Sequence, residues 1–465
     1  MTYTPTIGIE VHAELKTATK MFCNSKNEPH AAAPNTHICP VCLAHPGTLP
    51  VINKKAVEHV LRVGVALGAS IATYTEFDRK NYFYPDIPKG YQISQYEYPL
   101  VKGGELAGVA ITRVHLEEDT ARSAHDASGS IVDFNRAGVP LMELVTEPVI
   151  HDAKIAANFA RELQLLLRTL GCSDANMEKG EMRVEANISV SATDTLGTKV
   201  EVKNLNSFKS VENAIEFEIR RQIRVLEQNG QITQETRGWD ENKGKTFPQR
   251  LKEGSDDYRY FPDPDLPSLD LTKVSEFNIS RIEETMPETP NKKRNRYVGM
   301  GIRDNLVEVL VGDVTLGAFF EKCLEYAASE TREMIANYLT SDVRALLAEG
   351  KTLEGANPET FVALITMTKE GSINSRTAKN LLQEVLFDGS DPEQIAKDRG
   401  LLQSSNSDKL LPIVERVLAE HAGVVAEYKS GKEAALQFLI GQCMKETKGT
   451  ANPGALAKLL TESMA

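Results

Sequence analysis

Apolar residues hold every odd position from Ile7 to Leu15, while Glu10, His12 and Glu14 hold even ones. A period of two marks a half-buried strand. The stretch therefore predicts one face set into a core and another carrying two carboxylates and an imidazole at intervals of roughly 7 Å. The alternation returns at 109–119, which brings His115, Glu117, Glu118 and Asp119 to a strand end. It returns again at 181–190, where Arg183, Glu185, Asn187 and Ser189 share a face, and at 199–205, where Lys203 leads into Asn204. Helical spacing separates these segments. Asn53 opens one helix that Gly68 stops. Asp152 caps a second running to Leu170, with Ile155, Phe159, Leu163, Leu166 and Leu170 on one face and Gly171 closing it. A third begins at Ser207, keeps Val211, Ile215, Ile219, Ile223 and Leu226 at helical spacing, and ends at Gly230.

Past about residue 293 strand signals fade and helical periods dominate, as in 331–347 and 374–386. Pro287, Pro290 and the run Lys292-Lys293-Arg294 mark the change, and 404–407 marks a second break. The predicted fold is α+β, with a sheet-rich domain over 1–292, a helical domain over 293–403 and a small helical tail over 404–465.

A hydrophobic content of 41% and a charged content of 25% are those of a soluble globular protein. The start of the chain lacks the basic-then-apolar order of a signal peptide, and the apolar run 57–72 is broken by Glu58, His59 and Arg62, so the expected location is cytoplasmic. A net charge of −12 argues against a surface that attracts nucleic acid everywhere, and leaves room for a local basic patch. Lys429, Lys432, Lys445 and Lys448, interleaved with glycines, form the best such patch; a solvated helical tail would look the same.

Carboxylates and neutral imidazoles are ligands for a divalent cation, and a solvated strand face is the plain alternative for 7–15. Glu143 strengthens the first reading, because it interrupts an apolar run where an unpaired carboxylate is expensive. The stretch 77–86, FDRKNYFYPD, mixes basic, amide and aromatic side chains with little periodicity and predicts a loop suited to an anionic ligand. Lys203, Asn204 and Asn206 precede a helix start, where free N–H groups favour phosphate; an exposed charged hairpin fits equally. Cys39 and Cys42 form a CxxC with Cys23 upstream, consistent with a zinc knuckle, a redox pair or free thiols. GWDENKGKT at 238–246 resembles a phosphate-binding loop but has five residues between its glycines where the motif needs four.

Seven segments resemble, in order from about residue 6 to 460, the B subunit of the aspartyl/glutamyl-tRNA amidotransferase family. They are IGIEVHAEL, NTHICPVCL, FDRKNYFYPD, FNRAGVPLMELVTEP, EVKNLNSFKSVENAIEFEIRRQ, EGSDDYRYFPDPDLP and GKEAALQFLIGQCMKETKGTANP. The resemblance implies a cradle domain, a helical domain and a tRNA-binding tail. It implies a carbon–nitrogen ligase that uses ATP and Mg²⁺ to activate the side-chain carboxylate of Glu-tRNA(Gln) or Asp-tRNA(Asn). Ammonia would come from glutamine through a partner A subunit, with a small C subunit alongside. His12, Glu118 and Glu143 are then the expected metal ligands, with Glu10 and Glu117 close by. Lys80, Tyr82, Glu117, Arg183, Lys203 and Asn204 are the expected substrate or ammonia-path contacts, and the four tail lysines the tRNA contacts. Many members carry a CxC before the CxxC; here that stretch is Cys23-Asn24-Ser25, which puts zinc in doubt. Two rival functions are a tRNA-binding subunit that leaves the chemistry to its partner, and a free-standing ligase acting on a small acid.

Overall fold

The structure, a computed structural model, describes residues 2–30, 33–126, 129–251, 258–403, 407–447 and 451–464. They fall into two compact units, the first ending at Pro290 and the second beginning at Asn291.

The first unit is built on a sheet with β1 (Thr4–Glu14) at its middle. In chain order follow α1 (Lys54–Ala66), β2 (Asp78–Asn81), β3 (Tyr91–Ser94), β4 (Val109–Glu118), β5 (Pro140–Thr146), α2 (Ala153–Thr169) and β6 (Met182–Ser191). β7 (Val200–Leu205), α3 (Phe208–Glu227), β8 (Glu235–Asp240) and β9 (Lys245–Leu251) complete the larger elements. The sheet has ten strands, ordered β9-β8-β7-β6-β1-β5-β4 and then Val101–Lys102 and Ser70–Ile71, with Glu105–Leu106 pairing β4 off that path. Its pairs are antiparallel except β7 with β8. α3 connects those two, and a helical crossover is what a parallel pair requires.

The alternation in β1 does what its period implies. Ile7, Ile9, Val11 and Ala13 are buried in one core with Met142 and Leu144 of β5, Val184, Ala186 and Ile188 of β6, and the inner faces of α1 and α2. Each fully buried Val, Leu, Ile or Met side chain among these contributes roughly 1.5–3 kcal/mol. The helix starts follow their caps. Asn53 Oδ1 accepts from Lys55 N at 2.9 Å, Asp152 Oδ1 from Lys154 N at 2.7 Å, and Ser207 Oγ from Ser210 N at 3.0 Å. Such caps stabilise a helix by about 1 kcal/mol each. Gly64 lets α1 lie close on the sheet, since a Cβ there would stand 2.6 Å from both Ile71 and Val101.

Three expectations change. Ile155 is 48% exposed, and Ala156, Ala157 and Ala160 fill the seam of α2 instead, because small side chains let the helix approach closely. Residues 78–81 are a strand, not a loop: β2 pairs antiparallel with β3 and with Phe261–Pro262. Lys80, Arg79 and Asn81 are all half-buried, so no inside–outside alternation marks the strand. The buried face of α3 turns polar toward its C-terminal end where apolar burial was expected: Glu218 and Gln222 are fully buried beside only half-buried Ile219 and Ile223. The segment 238–246 lies on the β8–β9 hairpin, with Asp240 opposite Lys245 and Trp239 opposite Thr246, a placement no phosphate-binding loop adopts between its strand and helix.

In the second unit, residues 332–348 run as helix with a π-turn at Leu339–Val343, and Asn374 caps the helix Ser375–Phe387. Four helices from Ser407 onward enclose a small core of Leu410, Val414, Val417, Leu439, Cys443, Leu456 and Leu460. Residues 404–406, and with them part of the expected break, lie outside the described residues. Among the described residues no helix is long and apolar enough to cross a membrane.

Candidate active site

Strand register assembles the site. On one rung of the sheet His12 stands opposite Arg183 of β6 on one side and Glu143 of β5 on the other, and Glu143 in turn stands opposite His115 of β4. On a neighbouring rung Glu10 faces Glu185. Residues directly across a ladder have Cβ atoms about 4.5–5.5 Å apart, so the polar positions of four strands meet.

The charges are unevenly matched. His12 Nε2 lies 3.4 Å from Glu143, 3.7 Å from Glu10 and 3.7 Å from Glu117. His115 Nε2 lies 3.2 Å from Glu143 and 3.8 Å from Glu117. Burial opposes the charge of both imidazoles, but the Glu143 carboxylate prevails and pushes each up to about 9. Burial likewise opposes ionisation of Glu143, and the two imidazoles hold it well below the usual carboxylate range. Glu10 has the least compensation: burial and the nearby Glu143 push it up to about 7. Both imidazoles thus favour the protonated form beside two buried acids, Glu117 and Glu143, and the half-buried Glu10.

A cavity of about 360 Å³ opens beside this cluster. Glu10, His12, Glu117, Lys80, Arg183 and Lys203 all line it. Lys80 sits 5.0 Å from the Tyr258 ring, and Glu117 and Glu143 outweigh its burial to raise its pKa. Arg183 donates to Asp119 at 2.8 Å and Lys203 to Glu185 at 2.7 Å. Tyr82 lines the same cavity. Asn204 is exposed, at a φ of 65°, and is not among the lining residues.

Glu117 and Glu118 part company at the end of β4. Glu117 accepts from Ser94 Oγ at 3.1 Å and faces His12. Glu118 Oε1 accepts from Ile93 N at 3.0 Å and from Lys89 Nζ at 2.5 Å, and it lines a second cavity, of about 210 Å³. The structure therefore gathers Glu10, His12, Glu117 and Glu143, and sets Glu118 apart from them. His115 was the residue hardest to foresee; its place opposite Glu143 is a matter of register. Its Nδ1 is buried and has no hydrogen-bond partner among the described residues. Carboxylate oxygens and imidazoles packed this closely can serve as ligands of a divalent cation.

Cys23, Cys39 and Cys42 do converge, their sulfurs lying within 4.8 Å of one another. Among the described residues no histidine nitrogen joins them; Ser25 Oγ and Lys20 Nζ stand 3.9 and 3.8 Å from Cys42 Sγ instead. A hydroxyl and a buried ammonium are not ordinary zinc ligands, so the set fails to close a four-ligand structural site. In the tail, Lys429, Lys432 and Lys445 are exposed, Lys432 pairs with Glu427 at 2.8 Å, and Lys448 lies outside the described residues.

Acids and imidazoles thus face lysines and an arginine across an open cavity. Residues 5–275 match the GatB/GatE catalytic domain, and residues 318–464 match the GatB domain. Proteins named as the B subunit of aspartyl/glutamyl-tRNA(Asn/Gln) amidotransferase are similar end to end. That of Thermomicrobium roseum is 46% identical over 482 aligned positions, covering 100% of this chain and 99% of its own. That of Thermoanaerobacter pseudethanolicus is 44% identical over 480, covering 100% of both, and that of Thermus thermophilus 44% over 470, covering 99% of both. The chain belongs to the family of aspartyl/glutamyl-tRNA amidotransferase B subunits.

Proposed function

We propose that this chain is the member of a tRNA-dependent amidotransferase, a carbon–nitrogen ligase, that activates a misacylated tRNA and converts its acid to the amide. The side-chain carboxylate of Glu-tRNA(Gln) or Asp-tRNA(Asn) attacks the terminal phosphorus of ATP, ADP leaves, and ammonia displaces phosphate from the resulting acyl phosphate. Phosphoryl transfer asks a protein for charge neutralisation and alignment more than for a nucleophile of its own. His12, Glu143, Glu10 and Glu117 would hold Mg²⁺, which when bound supplies cationic charge against the phosphates. Lys80 and Arg183 would orient the anionic groups. Glu185 and Lys203, hydrogen-bonded on the wall of the same cavity, would line the way in for ammonia. Ammonia would come from a glutaminase A subunit, with a C subunit completing the assembly. The relatives are named as one subunit among several, which supports a multi-subunit enzyme. Residues 1–292 would form the cradle, 293–403 the helical domain and 404–465 the tRNA-binding tail, with Lys429, Lys432, Lys445 and Lys448 against the phosphate backbone.

The observation that carries this reading is the excess of buried acid around two imidazoles at the edge of the 360 Å³ cavity. A protein that only bound tRNA would have no use for it. The test is phosphate release from ATP by the full complex with ammonium as nitrogen donor. Release driven by Glu-tRNA(Gln) or Asp-tRNA(Asn), but not by Gln-tRNA, is expected. Tight tRNA binding without any release would leave only the binding role.

A further inference from the structure

The three sulfurs that fail to complete a zinc site are arranged for a different chemistry. Cys42 Sγ accepts from Cys39 N at 3.1 Å, and Lys20 Nζ stands 3.8 Å away. Lys20 is fully buried, and among the described residues no carboxylate pairs with it; its other contact is the Phe134 carbonyl, at 3.1 Å. A buried amine keeps its proton only with an anion close by, and the Cys42 sulfur is the group placed to be one. Cys39 Sγ lies 3.8 Å from Cys42 Sγ, a second thiol within reach of the first. Cys42 and Cys23 also form part of the wall of the 210 Å³ cavity, which gives a small molecule access to sulfur. The other three cysteines, Cys172, Cys323 and Cys443, are buried in apolar surroundings, where burial pushes each thiol up.

We propose that Cys42, Cys39 and Lys20 form a metal-free redox site oxidised by small hydroperoxides. The Cys42 thiolate attacks the terminal peroxide oxygen; the S–O bond forms, the O–O bond breaks, and the departing alkoxide takes up a proton to leave as alcohol, or as water when the oxidant is hydrogen peroxide. The Cys39 thiol then attacks the Cys42 sulfur; the S–S bond forms, the S–O bond breaks, and hydroxide leaves with the thiol proton as water. Two thiols and one hydroperoxide yield one disulfide, one alcohol and one water, and an external dithiol reverses the change. Lys20 is a positioning residue, since it acts on the thiolate and touches no oxidant.

The experiment treats the full-length chain with about one equivalent of hydrogen peroxide and follows each cysteine by peptide mass. The Cys39–Cys42 peptide should lose two hydrogens while Cys172, Cys323 and Cys443 stay reduced. Lys20→Met should slow the reaction by about tenfold or more, because thiolate, not thiol, is the nucleophile. Cys39→Ser combined with Cys23→Ser, which removes the other sulfur within 4.8 Å, should leave a sulfenic acid at Cys42 that a dimedone probe traps, and this double variant carries the test should Lys20→Met not fold. Ser25→Cys supplies the fourth sulfur; it should take up zinc and become resistant to peroxide. The proposal is overturned if the natural chain purifies with stoichiometric zinc and inert thiols, or if Cys42 oxidises no faster than Cys172.

Discussion

Two buried carboxylates in the sheet-rich unit live in opposite circumstances. Glu218, on α3, is fully buried and saturated: Arg221 donates to it twice, at 2.9 and 2.7 Å, Gln222 at 2.9 Å and Thr246 at 3.1 Å. Arg237 adds its charge at 3.6 Å and fastens itself to Thr246 and Glu235. Glu143 is nearly as buried, yet its cationic neighbours are His12 at 3.4 Å, His115 at 3.2 Å and Arg113 at 3.7 Å. Beside it stand two further acids, Glu10 and Glu117. A carboxylate with fixed donors at every turn is a structural joint. A carboxylate held by titratable imidazoles, among other acids, next to a cavity, is prepared for a ligand that brings positive charge.

The largest expected effect breaks the joint. Glu218→Ala removes the anion that Arg221 and Arg237 share and should destabilise the first unit by about 3–5 kcal/mol. Denaturant unfolding measures it, and turnover per folded molecule should be unchanged. Glu143→Gln should do the reverse. It should lower amide formation by ~10²–10³-fold, the usual cost of removing one fixed electrostatic group from a charge-stabilising site, while the unfolding midpoint stays near that of the natural chain. A Glu143→Gln chain that unfolds easily but turns over normally would put Glu143 in the same class as Glu218.

The next comparison is between adjacent residues. Glu117→Gln should cost about 10²-fold in turnover, because it alters a wall of the His12 cluster. Glu118→Gln should cost less than about tenfold, since its amide oxygen can still accept from Ile93 N. Steady-state assays with ammonium decide it, and a larger loss for Glu118→Gln would reverse the assignment of the two side chains.

This pair also marks how far the sequence could be read. β1 announced its two faces through period two, and Asn53, Asp152 and Ser207 announced helix starts through their capping chemistry. Glu143 stood out as an acid in an apolar run. Which of Glu117 and Glu118 meets His12 depends on the register of β4 against β5 and on the path of β3 above it, both long-range matters. Glu218 was hidden for a related reason. Its partners Thr246 and Arg237 come from a hairpin some 20 to 30 residues downstream, so the spacing along α3 showed an apolar stripe and no joint.

Smaller effects come from the exposed tail. Lys429→Gln and Lys445→Gln should leave stability within about 0.5 kcal/mol and lower the salt dependence of tRNA binding by ~1 in log–log slope for each cation that contacts a phosphate. An unchanged slope in filter-binding titrations would show that the tRNA path avoids these lysines.

The smallest effect concerns a buried histidine away from the site. His59 is 4% exposed, its Nε2 is 3.0 Å from the Lys16 carbonyl, and its Nδ1 has no partner among the described residues. Burial lowers its pKa below the ordinary 6.5, against the opposing pull of that carbonyl. As pH falls through 6.5 the unfolded chain takes a proton that the folded chain refuses. His59 therefore contributes stability that is complete above pH 6.5 and is lost as pH drops toward its folded value. His59→Gln keeps a donor for Lys16 without the titration, so its stability should fall less steeply on acidification than that of the natural chain. Parallel denaturant titrations at neutral and mildly acidic pH would show the difference, and equal slopes would mean that His59 accepts its proton in place.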